Sequence, residues 1–235
     1  MNTPDIFGDA VKAYFQKPSS QEITVISEDF DDDVIPVSHL FRTYSEMPKL
    51  EQKALQLCKG KILDVGCCAG SHSLVLQTQN KEVTAIDISP GAIEIARLRG
   101  IKNANVQNFF EVNKKYDTIL MLMNGIGIVG KLENLPLFFS QLDKILTPNG
   151  KVLVDSSDLQ YLFEQDEDGG IWVKKDYYYG ELTYQIAFGG KTSVPFDWLF
   201  IDANTLKKEA QQMGFDCRII AQSNHYDFLA ELKRR

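Results

Sequence analysis

Histidine is scarce in this chain, with three in 235 residues, at positions 39, 72 and 225. Cysteine is scarce too: Cys58, Cys67, Cys68 and Cys217 are the only four. They lack the paired C-x₂₋₄-C spacing of structural zinc sites, and they are too sparse for the disulfide framework of a small stapled domain. The adjacent pair Cys67–Cys68, with His72 close by, reads as small residues in a tight loop, so no metal is expected. Positive charge is in deficit: 25 Lys and Arg face 32 Asp and Glu, for a formal net charge of −7. Nucleic-acid affinity rests on lysine and arginine neutralising phosphates, so the deficit argues against a broad phosphate-binding face. Long apolar runs are missing as well. Residues 1–20 hold no apolar signal core. The longest uncharged apolar stretch, residues 118–130, has 13 residues of which three are glycine, too short to span a bilayer. A cytoplasmic protein without a membrane span is the expectation, and the pattern says nothing of oligomeric state.

What is present begins at residues 62–70, ILDVGCCAG, and continues at 83–90, VTAIDISP. A short apolar run enters a small-residue loop bounded by Gly66 and Gly70, and Ser71 is placed to cap a helix. A second apolar run ends in Asp87, 17 positions after Gly70. A strand, tight loop, helix and strand closed by an acid bind a ribonucleoside: loop backbone approaches the ligand and the acid takes the ribose hydroxyls. The dinucleotide fingerprint G-x-G-x-x-G fails twice, because Cys68 and Ser71 stand where its later glycines belong. A Walker loop fails for want of a lysine after Gly70. The pattern that fits is acid-x-Gly-x-x-x-Gly, with Asp64 as the acid.

With these residues the chain resembles the class I S-adenosylmethionine-dependent methyltransferases, whose first motif is (Asp/Glu)-x-Gly-x-Gly-x-Gly. Asp64, Gly66 and Gly70 match, and Cys68 replaces the middle glycine. Cysteine is small but disfavours positive φ, so the loop is expected to survive with position 68 at negative φ.

The rest of the chain alternates. Residues 4–17 carry an i, i+3/i+4 apolar stripe, and EITVIS follows as a short strand. The acidic run 28–33 has two readings, a solvated loop or a site for a cationic substrate. A helix at 47–57 takes Pro48 in its first turn. Ser89-Pro90 starts another helix, a strand is expected near 105–109, and YDTILMLM (116–123) reads as a buried strand. A helix over 131–146, the strand KVLVD (151–155), a helix closed by Gly214 and two strands near 217–222 and 226–232 complete the pattern. Strands alternating with helices predict an α/β fold with a doubly wound, mostly parallel sheet, and the closely spaced last strands predict a hairpin. The resemblance implies seven strands, the last antiparallel.

Residues 156–200 break the helical period and hold 11 of the 25 aromatics, including Trp172 and Trp198. They read as a β-rich insertion before the last helix, with Tyr177–Tyr179 on one strand. The insertion is either an accessory sheet packing on itself or a cap shaping the substrate pocket. Four segments follow: 1–45, an N-terminal helix and lid; 46–156, the cofactor-binding core; 157–200, the aromatic insertion as substrate cap; and 201–235, the C-terminal part of the core.

The resemblance implies S-adenosylmethionine as cofactor and methyl transfer to a small-molecule acceptor. It assigns Asp64 and the backbone of Gly66, Cys67, Cys68, Ala69 and Gly70 to the methionine arm and sugar. Asp87 would take the ribose, Ile88 an adenine face, and Asn108 with Phe109 the adenine edge. Met121 to Met123 would border the sulfonium, with core packing the competing role. Catalytic residues stay unassigned, with His225 and Tyr44 as candidates for a base where the acceptor arrives protonated. Arg42, Tyr44, Trp198 and His225 are the candidates for substrate contact. No Asn-Pro-Pro-Tyr-type sequence follows strand four, which weakens amide or nucleobase methylation. The rivals are a transferase of the same fold moving another group, and a non-catalytic module that binds a nucleoside or a protein.

Overall fold

The computed structural model describes residues 4–163, 170 and 177–235. In chain order the elements are α1 (Ile6–Gln16), β1 (Glu22–Ser27), β2 (Asp33–Pro36), α2 (Lys49–Leu57), β3 (Lys61–Val65), α3 (Ser71–Thr78) and β4 (Glu82–Asp87). There follow α4 (Pro90–Leu98), β5 (Ala104–Val106), β6 (Tyr116–Met121), α5 (Leu135–Ile145) and β7 (Leu146–Ser157). The chain ends with β8 (Glu181–Phe188), β9 (Lys191–Thr192), β10 (Phe196–Leu199), α6 (Ala203–Gln212), β11 (Phe215–Gln222) and β12 (Asp227–Arg234). None of the described helices is long and apolar enough to cross a membrane.

Seven strands form one sheet in the order β11-β12-β7-β6-β3-β4-β5. Strands β3 to β7 pair in parallel, whereas β12 runs antiparallel to both β7 and β11. This is the doubly wound sheet with an antiparallel last strand that the sequence predicts. Its cause is visible in the side chains. Ile62, Leu120, Leu153 and Leu229 pack with Ala54, Leu55 and Leu76 of α2 and α3 on one face. Their neighbours Leu63, Ile119, Val152, Val154 and Ala230 pack with Phe138, Phe139 and Leu142 of α5 on the other. Successive strand residues point to opposite faces, so a continuous apolar run serves a sheet covered by helices on both sides. Strand β3 lies between β4 and β6, so the winding reverses there and leaves a crevice beyond the carboxyl ends of these strands.

A second, antiparallel sheet has the order β10-β8-β1-β2, with β9 added to β8. The aromatic insertion is thus β-rich, as expected, but its central strand β8 pairs with β1 from the other end of the sequence, Thr24 opposite Ala187. Periodicity marks a strand without naming its partner. Tyr177, Tyr178 and Tyr179 do not lie on a strand; they form a bend and turn ahead of β8. The reason is hydrogen bonding: the Tyr178 and Tyr179 hydroxyls donate to Asp202 and Asp158, and the Phe200 N–H closes the turn on the Gly180 carbonyl. Trp172 and the turn residues Asp168 and Gly169 fall outside the described residues. Strand β5 is shorter than the expected 105–109, because the Asn108 side chain accepts the Phe110 N–H and turns the chain.

At the N-terminus Asp5 caps α1 through the Gly8 N–H and also accepts from the Ser89 hydroxyl and the Gly91 N–H at the start of α4. One carboxylate therefore fixes the starts of two helices, a favourable place for a negative charge.

Candidate active site

Strand β3 delivers the chain into loop 66–70 at the crevice. Gly66 is exposed at φ +69, and a β-carbon there would meet nothing within 4 Å, so its backbone faces open space. The Gly66 and Cys67 N–H groups both donate to the Ile86 carbonyl, at 2.9 and 3.0 Å, tying the loop to the end of β4. Cys67, Ala69 and Gly70 are buried beneath it, while Cys68 is half-buried.

Cys68 has φ +47, which corrects the expectation of a negative value. The cause is geometric: the loop must present the Cys68 N–H to Asp87 Oδ2 at 2.8 Å while the Gly70 N–H returns to the Cys67 carbonyl at 2.7 Å. A left-handed residue closes such a turn, which is why glycine is favoured there. Burial raises the Cys67 and Cys68 thiols, so both stay protonated. Among the described residues no group of three or more His, Cys, Asp or Glu stands together to hold a metal. Ser71 does not cap α3: its hydroxyl donates to the Leu40 carbonyl, and left-handed Gly70 occupies the cap position.

Asp87 ends β4 with its second oxygen accepting the Ser89 N–H at 2.9 Å. Burial pushes its carboxyl up, and the Ser89 and Cys68 N–H bonds work against that shift. It is not needed as a helix cap, because the Ser89 hydroxyl caps α4 through the Ala92 N–H. The next residue, Ile88, is 74 % exposed and leaves an apolar side chain beside the loop among the described residues. Asn108 is exposed near the same edge, but Phe109 sits in the core against Phe110 and Phe138. Met121 is fully buried, so the core-packing role is the one it takes; Met123, at φ +65, is the exposed methionine beyond β6.

Asp64 lies under the loop at 2 % exposure, and its Oδ2 accepts the Ser73 hydroxyl at 2.6 Å. Beside it is a cluster that sequence reading reached only in part. Glu51 of α2 accepts from Arg42 Nη2 at 3.0 and 3.1 Å and meets His72 Nε2 at 2.7 Å. Burial acts to raise Glu51, but the His72 hydrogen bond and charge, with Arg42, hold it below the usual carboxylate range. Burial acts to lower His72, and the bond to Glu51 with the charges of Asp64 and Glu51 raises it instead. Arg42 was already a candidate from the sequence; the signal for Glu51 was a glutamate on the apolar face of α2.

Asp155 is a second residue that reading missed. It ends the apolar run of β7, and its two oxygens accept the Met123 and Gly125 N–H groups at 2.9 Å each, holding the left-handed turn after β6. Burial pushes its carboxyl up to about 7, against the pull of those two N–H bonds.

The candidates for substrate contact are dispersed. The Tyr44 hydroxyl accepts from Gln56 on α2 at 2.9 Å. Trp198 of β10 covers Gly127, where a β-carbon would come within 2.0 Å of the indole. His225 is exposed in the turn joining β11 to β12. Pairing of Asp227 with Ser157 puts that turn at the carboxyl end of β7. The turn borders a cavity of about 390 Å³ lined by Asp158, Gln160, Ser223, Asn224, Tyr226 and Asp227.

The profile of a methyltransferase domain matches residues 38–218, from the turn before Arg42 through α6 into β11. The chain belongs to this methyltransferase family. Among solved structures, an S-adenosylmethionine-dependent methyltransferase from Bacteroides fragilis, crystallised with S-adenosyl-L-homocysteine, superposes with a TM-score of 0.91 at 46 % identity, over 98 % of this chain and 94 % of that one. Among curated relatives, the biotin biosynthesis bifunctional protein BioHC of Saccharophagus degradans is 28 % identical over 81 % of this methyltransferase and 34 % of its own length. The ubiquinone biosynthesis O-methyltransferase of Xylella fastidiosa is 30 % identical over 44 % of each chain. This methyltransferase therefore spans between a third and a half of the curated relatives it matches.

Proposed function

We propose that the protein is a cytoplasmic enzyme that transfers the methyl group of S-adenosylmethionine to a small-molecule acceptor. The observation that carries this reading is the joint made by Asp87: one carboxylate ties the 66–70 loop to the end of β4, beside an exposed Ile88 and the open backbone of Gly66. These residue types suit an adenosine: an acid for ribose hydroxyls, an uncovered apolar side chain for a purine face, and backbone free of a side chain for close approach. Each Asp87 oxygen accepts one N–H here and keeps a lone pair for a hydroxyl. Met123 and Asn108 complete the rim, while Asp64, Phe109 and Met121 support it from beneath. The relative solved with S-adenosyl-L-homocysteine at 46 % identity supports the same cofactor.

When bound, the cofactor supplies an already activated sulfonium methyl, so the chain's share is proximity and alignment, which can offset about 7–11 kcal/mol of barrier. Asp155 holds the turn at 123–125 that borders the reacting end. In this reading residues 46–156 and 201–235 are the binding core, and the sheet shared by residues 1–45 and 157–200 caps it. Trp198, Tyr44, Arg42 and His225 remain the candidates for acceptor contact, and the turn that carries His225 borders the cavity at the carboxyl end of β7. The net charge of −7 favours a small acceptor over nucleic acid.

The test is calorimetric titration with S-adenosylmethionine and S-adenosylhomocysteine. Two hydrogen bonds from ribose hydroxyls to a carboxylate, at about 1.5–3 kcal/mol each, predict that Asp87→Ala weakens binding by roughly 100-fold or more. Absence of heat with both ligands sinks the proposal. Binding without S-adenosylhomocysteine formation across a broad panel of metabolites favours a non-catalytic module.

A further inference from the structure

Asp155 carries a charge that no cation pairs among the described residues. Its two oxygens accept only the neutral Met123 and Gly125 N–H groups, and the cations nearest in the cluster, Arg42 and His72, are both committed to Glu51. The residue is half-buried rather than sealed, so part of it stays open at the carboxyl end of β7. Burial raises its carboxyl most; the two N–H bonds lower it, Glu51 of α2 raises it and His72 of α3 lowers it. Arg42 and Asp64 act one step away, on Glu51 and His72. From β12 the residue opposite is Leu229, and β6 presents Met121 beside the preceding Val154, so neither neighbouring strand brings a titratable group to that level. A carboxylate in this setting is stabilised most by a cation arriving from outside the chain.

We propose that the Asp155 carboxylate is the counter-charge of the cofactor's sulfonium, so that the methyl-donating form is held by a charge its spent thioether lacks; this rests on the cofactor reading above. The strand order β7-β6-β3-β4 puts Asp155 on one side of the crevice and Asp87 on the other, with the turn at 123–125 following β6 between them. With a purine face on Ile88 and the ribose on Asp87, the sulfur lies on the β6 and β7 side. A sulfonium cannot shed its charge, so the carboxyl responds instead. Asp155 gives up a proton when the sulfonium enters and takes one back from solvent when the neutral thioether replaces it. The same exchange favours release of the spent cofactor.

The experiment measures calorimetric Kd values for S-adenosylmethionine and S-adenosylhomocysteine from about pH 5.5 to about pH 8. Wild type and Asp155→Asn are compared, with folding checked by circular dichroism. The ligands share the ribose, the carboxylate and the ammonium, so the ratio of their affinities isolates the sulfonium charge. A nearby opposite charge lowers a carboxyl by about 1–3 pH units, so in the wild type S-adenosylmethionine should gain about fivefold or more over S-adenosylhomocysteine as pH rises. In Asp155→Asn the ratio should stay within about twofold, because the amide has no charge to titrate. Wild-type titrations in buffers of different ionisation heat should show more protons released by S-adenosylmethionine than by S-adenosylhomocysteine. That measurement needs no variant and decides the matter where Asp155→Asn fails to fold. Equal release with both ligands assigns the carboxylate to a group they share and overturns the proposal. A flat wild-type ratio overturns it too, as does a wild-type slope that persists in Asp155→Asn. A wild type that binds neither ligand removes the cofactor reading itself, and this assignment with it.

Discussion

Replacing Cys68 separates the backbone requirement of the loop from its side-chain chemistry. Its φ of +47 lies in the left-handed region, which costs a residue with a β-carbon about 1–2 kcal/mol. Cys68→Ala keeps that strain, and Cys68→Gly removes it. Both variants lose the same sulfur, so the comparison between them cancels the thiol. Glycine returns about 0.5–1 kcal/mol through its freedom in the unfolded chain and gives up a few tenths from a half-buried β-carbon. The glycine variant should therefore be the more stable of the two by about 0.5–1 kcal/mol. For a chain of this size that is a melting difference of about 1–4 °C. Thermal melts and urea titrations of the two proteins in parallel read it directly. S-adenosylhomocysteine affinity should stay within threefold in Cys68→Gly, since the N–H donated to Asp87 belongs to the backbone. An alanine variant that melts as high as the glycine variant would refute the left-handed assignment and the loop geometry built on it.

Two further outcomes follow from buried groups. The Asp155 carboxyl is raised by burial to about 7, so the folded chain retains a proton that the unfolded chain releases near pH 4. Folding stability then falls as pH rises between those values, and Asp155→Asn should remove that component. The wild-type-minus-variant stability should drift downward from about pH 4 to 7 and level off above; a flat difference over that window contradicts the assignment. Gly127→Ala forces a methyl into the Trp198 indole and should cost about 1–3 kcal/mol in overpacking. In a Trp172→Phe background the Trp198 fluorescence should shift to the red as the indole is displaced; an unshifted spectrum and unchanged melt would mean that the insertion does not press on the turn after β6.

Most of the core was legible because its signals are local. Ile62, Leu63 and Val65 before two glycines, and Val83 to Ile86 before Asp87, mark strands and the turn that joins them whatever surrounds them. Ser89-Pro90 marks the start of α4 with equal economy, and its hydroxyl does cap the helix. Position 68 was misread because a residue's φ is set by the bonds its loop must close, here to Asp87, and not by its own preference. The strand expected of Tyr177–Tyr179 failed for a similar reason, since the hydroxyls of Tyr178 and Tyr179 turn to acids that are remote in sequence.

Sequence alone determined the strand–loop–helix–strand unit, the closing acid and the parallel sheet, because each depends on apolar periodicity and on neighbours within about 20 residues. Tertiary structure decided what depends on long-range pairing: β8 of the insertion joined to N-terminal β1, and Trp198 set over Gly127. It decided above all the buried union of Arg42, Glu51 and His72. Those three residues come from a turn and two helices, and the energy that joins them arises only once folding removes the water between them.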